Sequence, residues 1–175
     1  MAKAREIPGL NSDLAYGDVA ARVVEVRCQE LADHSAGVLD TSDIDRVHDM
    51  RVASRRLRAA LEVFMPCFPE KQARMILKEV KALADALGER RDADVAIATL
   101  DSFAAAMPRP DRRGIESLSD EFRDEQLAAN ADLAAPVEAA RIDALQRSIH
   151  DLATTARLAA RTGQERDAEL DGGDA

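Results

Sequence analysis

Residues 47–61 read VHDMRVASRRLRAAL, and the spacing of their apolar and basic side chains decides the fold. On a wheel of about 100° per residue started at His48, Met50, Ala53, Leu57, Ala60, Leu61 and Phe64 gather in one apolar sector roughly 100° wide. His48, Arg51, Arg55 and Arg58 gather in another, about 80° wide and clear of the first, while Arg56 lies outside both. The stretch therefore reads as a helix that buries one face and lines up guanidinium groups on a different one.

Working outward, Thr41, Ser42 and Asp43 supply caps for this helix, which spans 44–65 until Pro66 stops it. Next comes a helix over 70–87, closed by Gly88 as its C-terminal glycine. It repeats the pattern: Lys71, Arg74, Lys78 and Lys81 carry the spacing of His48, Arg51, Arg55 and Arg58, and Ile76, Val80, Leu83, Ala84 and Leu87 form its packed side. Upstream, residues 1–12 form an irregular lead-in. Ser12 or Asp13 caps a first helix that runs to about residue 34, with Gly37 just past its end. Downstream, 89–94 read as a polar connector, 95–106 as a short helix broken at Pro108 and Pro110, and 112–162 as two helical pieces meeting at Pro136. Residues 163–175 read as an acidic, disordered tail. The expectation is an all-α chain with one domain over 13–162, folded as an antiparallel helical bundle.

Composition agrees. In 175 residues, hydrophobic side chains make up 46%, charged ones 33% and aromatics only 3%, which suits closely packed helices in one globular core. Cys28 and Cys67 have neither disulfide nor zinc spacing and read as core thiols of a reducing compartment. His34 and His150 are single and remote in sequence, so no metal site is expected. No apolar run approaches the roughly 18 residues of a spanning helix, which makes the cytoplasm the expected location.

Net charge is −9, but residues 46–91 hold 11 Arg and Lys against 6 Asp and Glu, leaving −14 on the rest of the chain. Like charges along a helix face repel by a few tenths of a kcal/mol per pair, a standing cost that an anion would remove. Arg donates two parallel hydrogen bonds to a phosphate, and Lys adds mobile point charge between such contacts. Two such helices side by side make a trough about 15 Å long, better suited to a linear phosphate chain than to a compact nucleotide. Single-stranded nucleic acid binders normally stack bases on aromatics, and this chain has almost none, so nucleic acid is disfavoured.

The run from Val47 to Leu61 resembles the signature of the CHAD family, the conserved histidine α-helical domain. The likeness continues through LKEVKALADALGERRDADV, where Leu-Gly followed by Arg91, Asp92, Asp94 and Val95 is similar to a second family signature. The resemblance implies a CHAD-type bundle that binds inorganic polyphosphate without catalysis or a cofactor, in the cytoplasm and in association with polyphosphate granules. By position it assigns ligand contacts to His48, Arg51, Arg55, Arg56, Arg58, Arg74, Lys78, Lys81 and Arg91, whereas Asp92 and Asp94 orient arginines or cap the next helix. Typical members resemble two such repeats in tandem, and here one copy is clear; HDLATTARLAAR from His150 can be laid on HDMRVASRRLRA, but only Arg157 meets a stripe position. With one copy, two chains would have to surround a strand, so a homodimer is expected. The competing readings are a metal-dependent polyphosphate- or phosphoester-processing enzyme, for which no phosphate loop or paired acids are evident, and a bundle that binds another polyanion such as nucleic acid.

Overall fold

The computed structural model describes residues 3–171, with side chains as far as residue 162, and every regular element in that range is helical. Five α-helices follow in order: α1 (Tyr16–Asp33), α2 (Ile44–Val63), α3 (Glu70–Ala106), α4 (Arg113–Ala134) and α5 (Ala139–Asp171). Short 3-10 turns at Met65–Cys67 and Arg109–Asp111 take up Pro66 and Pro110. The expected tail falls on 163–175, of which 172–175 and the side chains from 163 lie outside the described residues.

From α1 to α4 each helix runs antiparallel to the one before it, and α5 runs antiparallel to α1. α1 packs on α2 and α5, α2 on α3, and α4 on the C-terminal half of α3, while α5 also touches α3. The apolar face of α2 lands as its periodicity demands: Val47, Met50, Ala53, Leu57 and Leu61 are fully buried. They meet Leu31 of α1, Val80 and Leu87 of α3, and Ile149 and Leu152 of α5 in one core. Burying a side chain of this kind contributes about 1.5–3 kcal/mol, so the tertiary core rather than helix propensity holds the helices in place. Cys28 sits in that core, where burial pushes its thiol up to about 12. Where α1 crosses α5, a Cβ on Gly17 would stand 2.9 Å from the Ala156 carbonyl oxygen, so this glycine sets the separation of the two helices.

The largest correction to the sequence reading concerns α3. It is one helix of 37 residues, about 55 Å long, and passes straight through Gly88 and the expected connector over 89–94. An interior glycine costs about 1 kcal/mol relative to alanine, which is little beside the burial of Leu83 and Leu87 on one side and Ala93 on the other. Among the described residues, positive φ is reserved for Gly9 and Gly37, in the lead-in and beyond α1.

Helix starts are corrected too. Asp13 N–H donates to Asn11 Oδ1 at 3.0 Å and the Ser12 hydroxyl to Asp13, so both proposed caps are spent in the lead-in and α1 opens after Ala15. Asp43 does precede α2, but its carboxylate takes Arg46 Nε at 2.9 Å instead of capping a backbone N–H.

A candidate anion-binding face on two helices

The antiparallel pairing of α2 and α3 fixes how the two basic stripes meet. Arg58 Nε and Lys81 Nζ approach the same carboxylate oxygen, Glu62 Oε1, at 3.1 and 3.2 Å. Farther along, Arg51 lies against Gly88: a Cβ there would stand 3.9 Å from Arg51 Nε. Farther still, Arg91 reaches back across the pair and donates to the Ile44 carbonyl oxygen at 3.1 Å. The stripes therefore overlap at Arg58 and Lys81 and continue each other, instead of lying abreast with Lys71 beside His48. From Arg74 to Arg91 the cations of α3 that face α2 span about 25 Å of helix, with exposed Asp85 and Glu89 standing between Lys81 and Arg91.

Within this line the cations differ in what already holds them. Arg55 and Lys78 are exposed and Arg51 and His48 half-buried, and among the described residues none of the four forms an ion pair. Arg58 and Lys81 share Glu62, whose carboxyl the hydrogen bonds from Arg58 and Lys81 hold below its ordinary range. Arg74 is paired one turn back with Glu70, both strongly exposed. Lys71 is exposed at the start of α3.

Arg56 stands apart from the rest of the expected set. Its guanidinium turns to α1, where it meets the buried carboxylate of Glu30 at 2.5 Å, and Glu30 also takes Arg27 at 2.6 Å. Burial pushes the Glu30 carboxyl up, yet the two arginines more than offset it and hold it below the ordinary range. Arg56 thus fastens α2 to α1 and is not part of the α2/α3 line, in keeping with its place outside both sectors of the wheel.

Sequence reasoning passed over Arg90, the largest fully buried side chain among the described residues. It forms an ion pair with buried Asp94 one turn on, and its Nε donates to Asn130 Oδ1 of α4 at 3.3 Å. Gln126 of α4 donates to Asp94 at 2.7 Å, and Asn130 donates to the Leu39 carbonyl oxygen at 3.0 Å. Arg90 Nη2 and Asp94 Oδ2 lack partners among the described residues. Asp94 does orient an arginine, as expected, but neither it nor exposed Asp92 caps a helix, since α3 does not stop there. The i, i+4 spacing of Arg90 and Asp94 was the available signal.

Among its described residues the second half of the chain carries no comparable line. His150 Nδ1 lies 3.2 Å from Glu25 of α1, and Arg157 takes the same carboxylate, so both clamp α5 to α1. Among the described residues no three His, Cys, Asp or Glu side chains gather as metal ligands would, and no helix is long and apolar enough to cross a membrane.

Fold and face together define an all-α bundle with a cationic line along one helix pair. The chain matches the family description "CHAD domain" over residues 22–171 and belongs to the CHAD family. It is also similar to a protein of Mycobacterium tuberculosis described as uncharacterized, with 41% identity over 51 residues. That match covers 29% of this chain and 10% of the relative, so the chain spans only a small part of that protein.

Proposed function

We propose that this protein binds inorganic polyphosphate along the α2/α3 line and does so without catalysis. The observation that carries the reading is the convergence of Arg58 and Lys81, from two helices, on a single anionic oxygen. Side chains that close on one carboxylate oxygen can close on a phosphate oxygen in the same way. The line is long, narrow and unbranched, the shape of an extended chain of phosphates. Arg51, Arg55 and Lys78 along it are not committed to carboxylates among the described residues. The chain has a single Tyr, four Phe and no Trp, so stacking of bases offers little here. Two copies on one strand would supply a second basic wall, and binding of this kind would hold the protein on polyphosphate granules.

Titration of long-chain polyphosphate at several salt concentrations tests this. Affinity should fall steeply with salt, by about 0.7 in log K per log unit of salt for each phosphate neutralised, as for single-stranded polyanions. The triple variant Arg51→Ala, Arg55→Ala, Arg58→Ala should lose binding while keeping its helical circular dichroism. Displacement of polyphosphate by single-stranded or duplex nucleic acid at equal phosphate concentration would overturn the specific reading, and phosphate release with Mg²⁺ or Mn²⁺ would overturn the non-catalytic one.

A further inference from the structure

Glu62 is an odd residue to find in such a line. It stands at the last turn of α2, where the two stripes overlap, and puts one carboxylate oxygen within 3.2 Å of both Arg58 and Lys81. On one side of it lies the double-walled run, with His48, Arg51 and Arg55 on α2 and Arg91 opposite. On the other side α2 has ended, and only α3 continues the line, through Lys78, Arg74 and Lys71. A second carboxylate, Glu70, already holds Arg74.

We propose that Glu62 is a built-in competitor that sets how far a bound polyanion extends along the α2/α3 face. The inference rests on the polyphosphate reading and concerns the limits of that same site. A phosphate chain seated over Arg51 and Arg55 meets a negative charge about two turns farther along α2, just past Arg58. It either ends there or displaces Glu62 from Arg58 and Lys81. Both the repulsion and the displaced pair oppose extension, so the natural protein favours a footprint over the double-walled run, about 10–15 Å long, and gives up Arg58 and Lys81 to the ligand only as Glu62 is displaced. Glu62 is ionised for this purpose over the whole neutral range, because both cations favour its charged form. Glutamine at this position keeps size and hydrogen-bonding capacity but removes the charge, freeing Arg58 and Lys81 and opening the way to Lys78.

The test compares the natural chain, Glu62→Gln and Asp151→Asn. The last removes an exposed charge on α5, which carries none of the line, and so reports the effect of net charge alone. Long-chain polyphosphate is titrated over a salt series by calorimetry or fluorescence anisotropy. Glu62→Gln should bind several-fold more tightly and steepen the salt slope by about 0.7 to 1.5, one to two extra phosphates. Asp151→Asn should leave the slope unchanged. Glu62 is about 40% exposed, so the variant folds, as its thermal melt will show. An unchanged slope in Glu62→Gln, or an equal change in Asp151→Asn, overturns the inference and leaves the polyphosphate reading intact. Failure of the natural chain to bind overturns both.

Discussion

Arg90 and Arg91 are neighbours in α3 and do opposite work. Arg90 turns to α4 and disappears into a closed set of polar partners, Asp94, Gln126 and Asn130. Arg91 turns to α2 and ends half-buried on the cationic line, where it donates to the Ile44 carbonyl oxygen. A step of about 100° around the helix separates a cation that is part of the core from one that solvent still reaches. What differs is solvent. A buried charge must be matched at once by the protein, whereas an exposed one can wait for an anion from outside.

The largest expected effect follows from the buried side. Arg90→Met leaves Asp94 without its cation in the core, and Asp94→Ala leaves Arg90 without its anion. Each should destabilise the fold by about 3–5 kcal/mol, the usual result of removing one partner of a buried pair. Urea unfolding measures it. Changing both, Arg90→Met with Asp94→Leu, should recover most of the loss, because the desolvation of two charges disappears with them. If either single variant unfolds at the natural midpoint, the distinction drawn between the two arginines fails.

This contrast also shows what the sequence could and could not reveal. The buried face of α2 and the location of the stripes were legible because a helix period of 3.6 leaves its mark on a single segment. The breaks at Pro66, Pro108 and Pro136 were legible for the same local reason. The continuity of α3 was not, since Gly88 and the polar run over 89–94 look like a stop until α4 supplies Gln126 and Asn130 to receive them. The relative position of the stripes was equally hidden. Spacing within each helix says nothing of antiparallel register, which is set by where Arg51 finds Gly88 and where Arg58 and Lys81 find Glu62. Arg56 was separable from the line by its angle on the wheel, but its partner Glu30 lies 26 residues away and left no local trace.

Glu30 supplies an intermediate case between Arg90 and the open cations, and an effect of intermediate size. Its carboxylate is buried, but Arg27 and Arg56 around it are only partly so. Glu30→Gln should cost about 1.5–3 kcal/mol, the range for hydrogen bonds to charged groups. The pH dependence gives a second readout. Because the folded-state pKa of Glu30 lies below its ordinary value of 4.5, its contribution is fully present above that value and is lost as pH falls toward the folded pKa. The natural protein should lose stability on acidification below about pH 4.5, where the unfolded chain takes up the proton first. Glu30→Gln should show a shallower decline over that interval in thermal melts at stepped pH. Glu25, also held below its ordinary range despite burial by Arg157 and His150, adds a parallel decline that both proteins share.

The smallest effect is expected at Arg74, and it discriminates most finely between a cation that is merely exposed and one that a ligand reaches. Arg74 and Glu70 are about 70% exposed, and a pair in that setting contributes roughly 0–1 kcal/mol. Arg74→Ala should therefore leave the melting curve close to that of the natural protein. It should also leave polyphosphate affinity nearly unchanged, because Glu62 stands between Arg74 and the double-walled run. In the Glu62→Gln background the same substitution should cost a measurable part of the affinity gained, since a longer footprint now approaches Lys78 and Arg74. A double-mutant cycle over Glu62 and Arg74, read in affinity at fixed salt, isolates that coupling. A vanishing coupling energy would mean that the distal cations stay outside the footprint even with the gate charge removed, and that the extra contacts end at Arg58 and Lys81. A full loss of affinity in Arg74→Ala alone would mean that the ligand already runs past Glu62, so that burial and carboxylate occupancy do not sort the cations of α3 in the way Arg90 and Arg91 suggest.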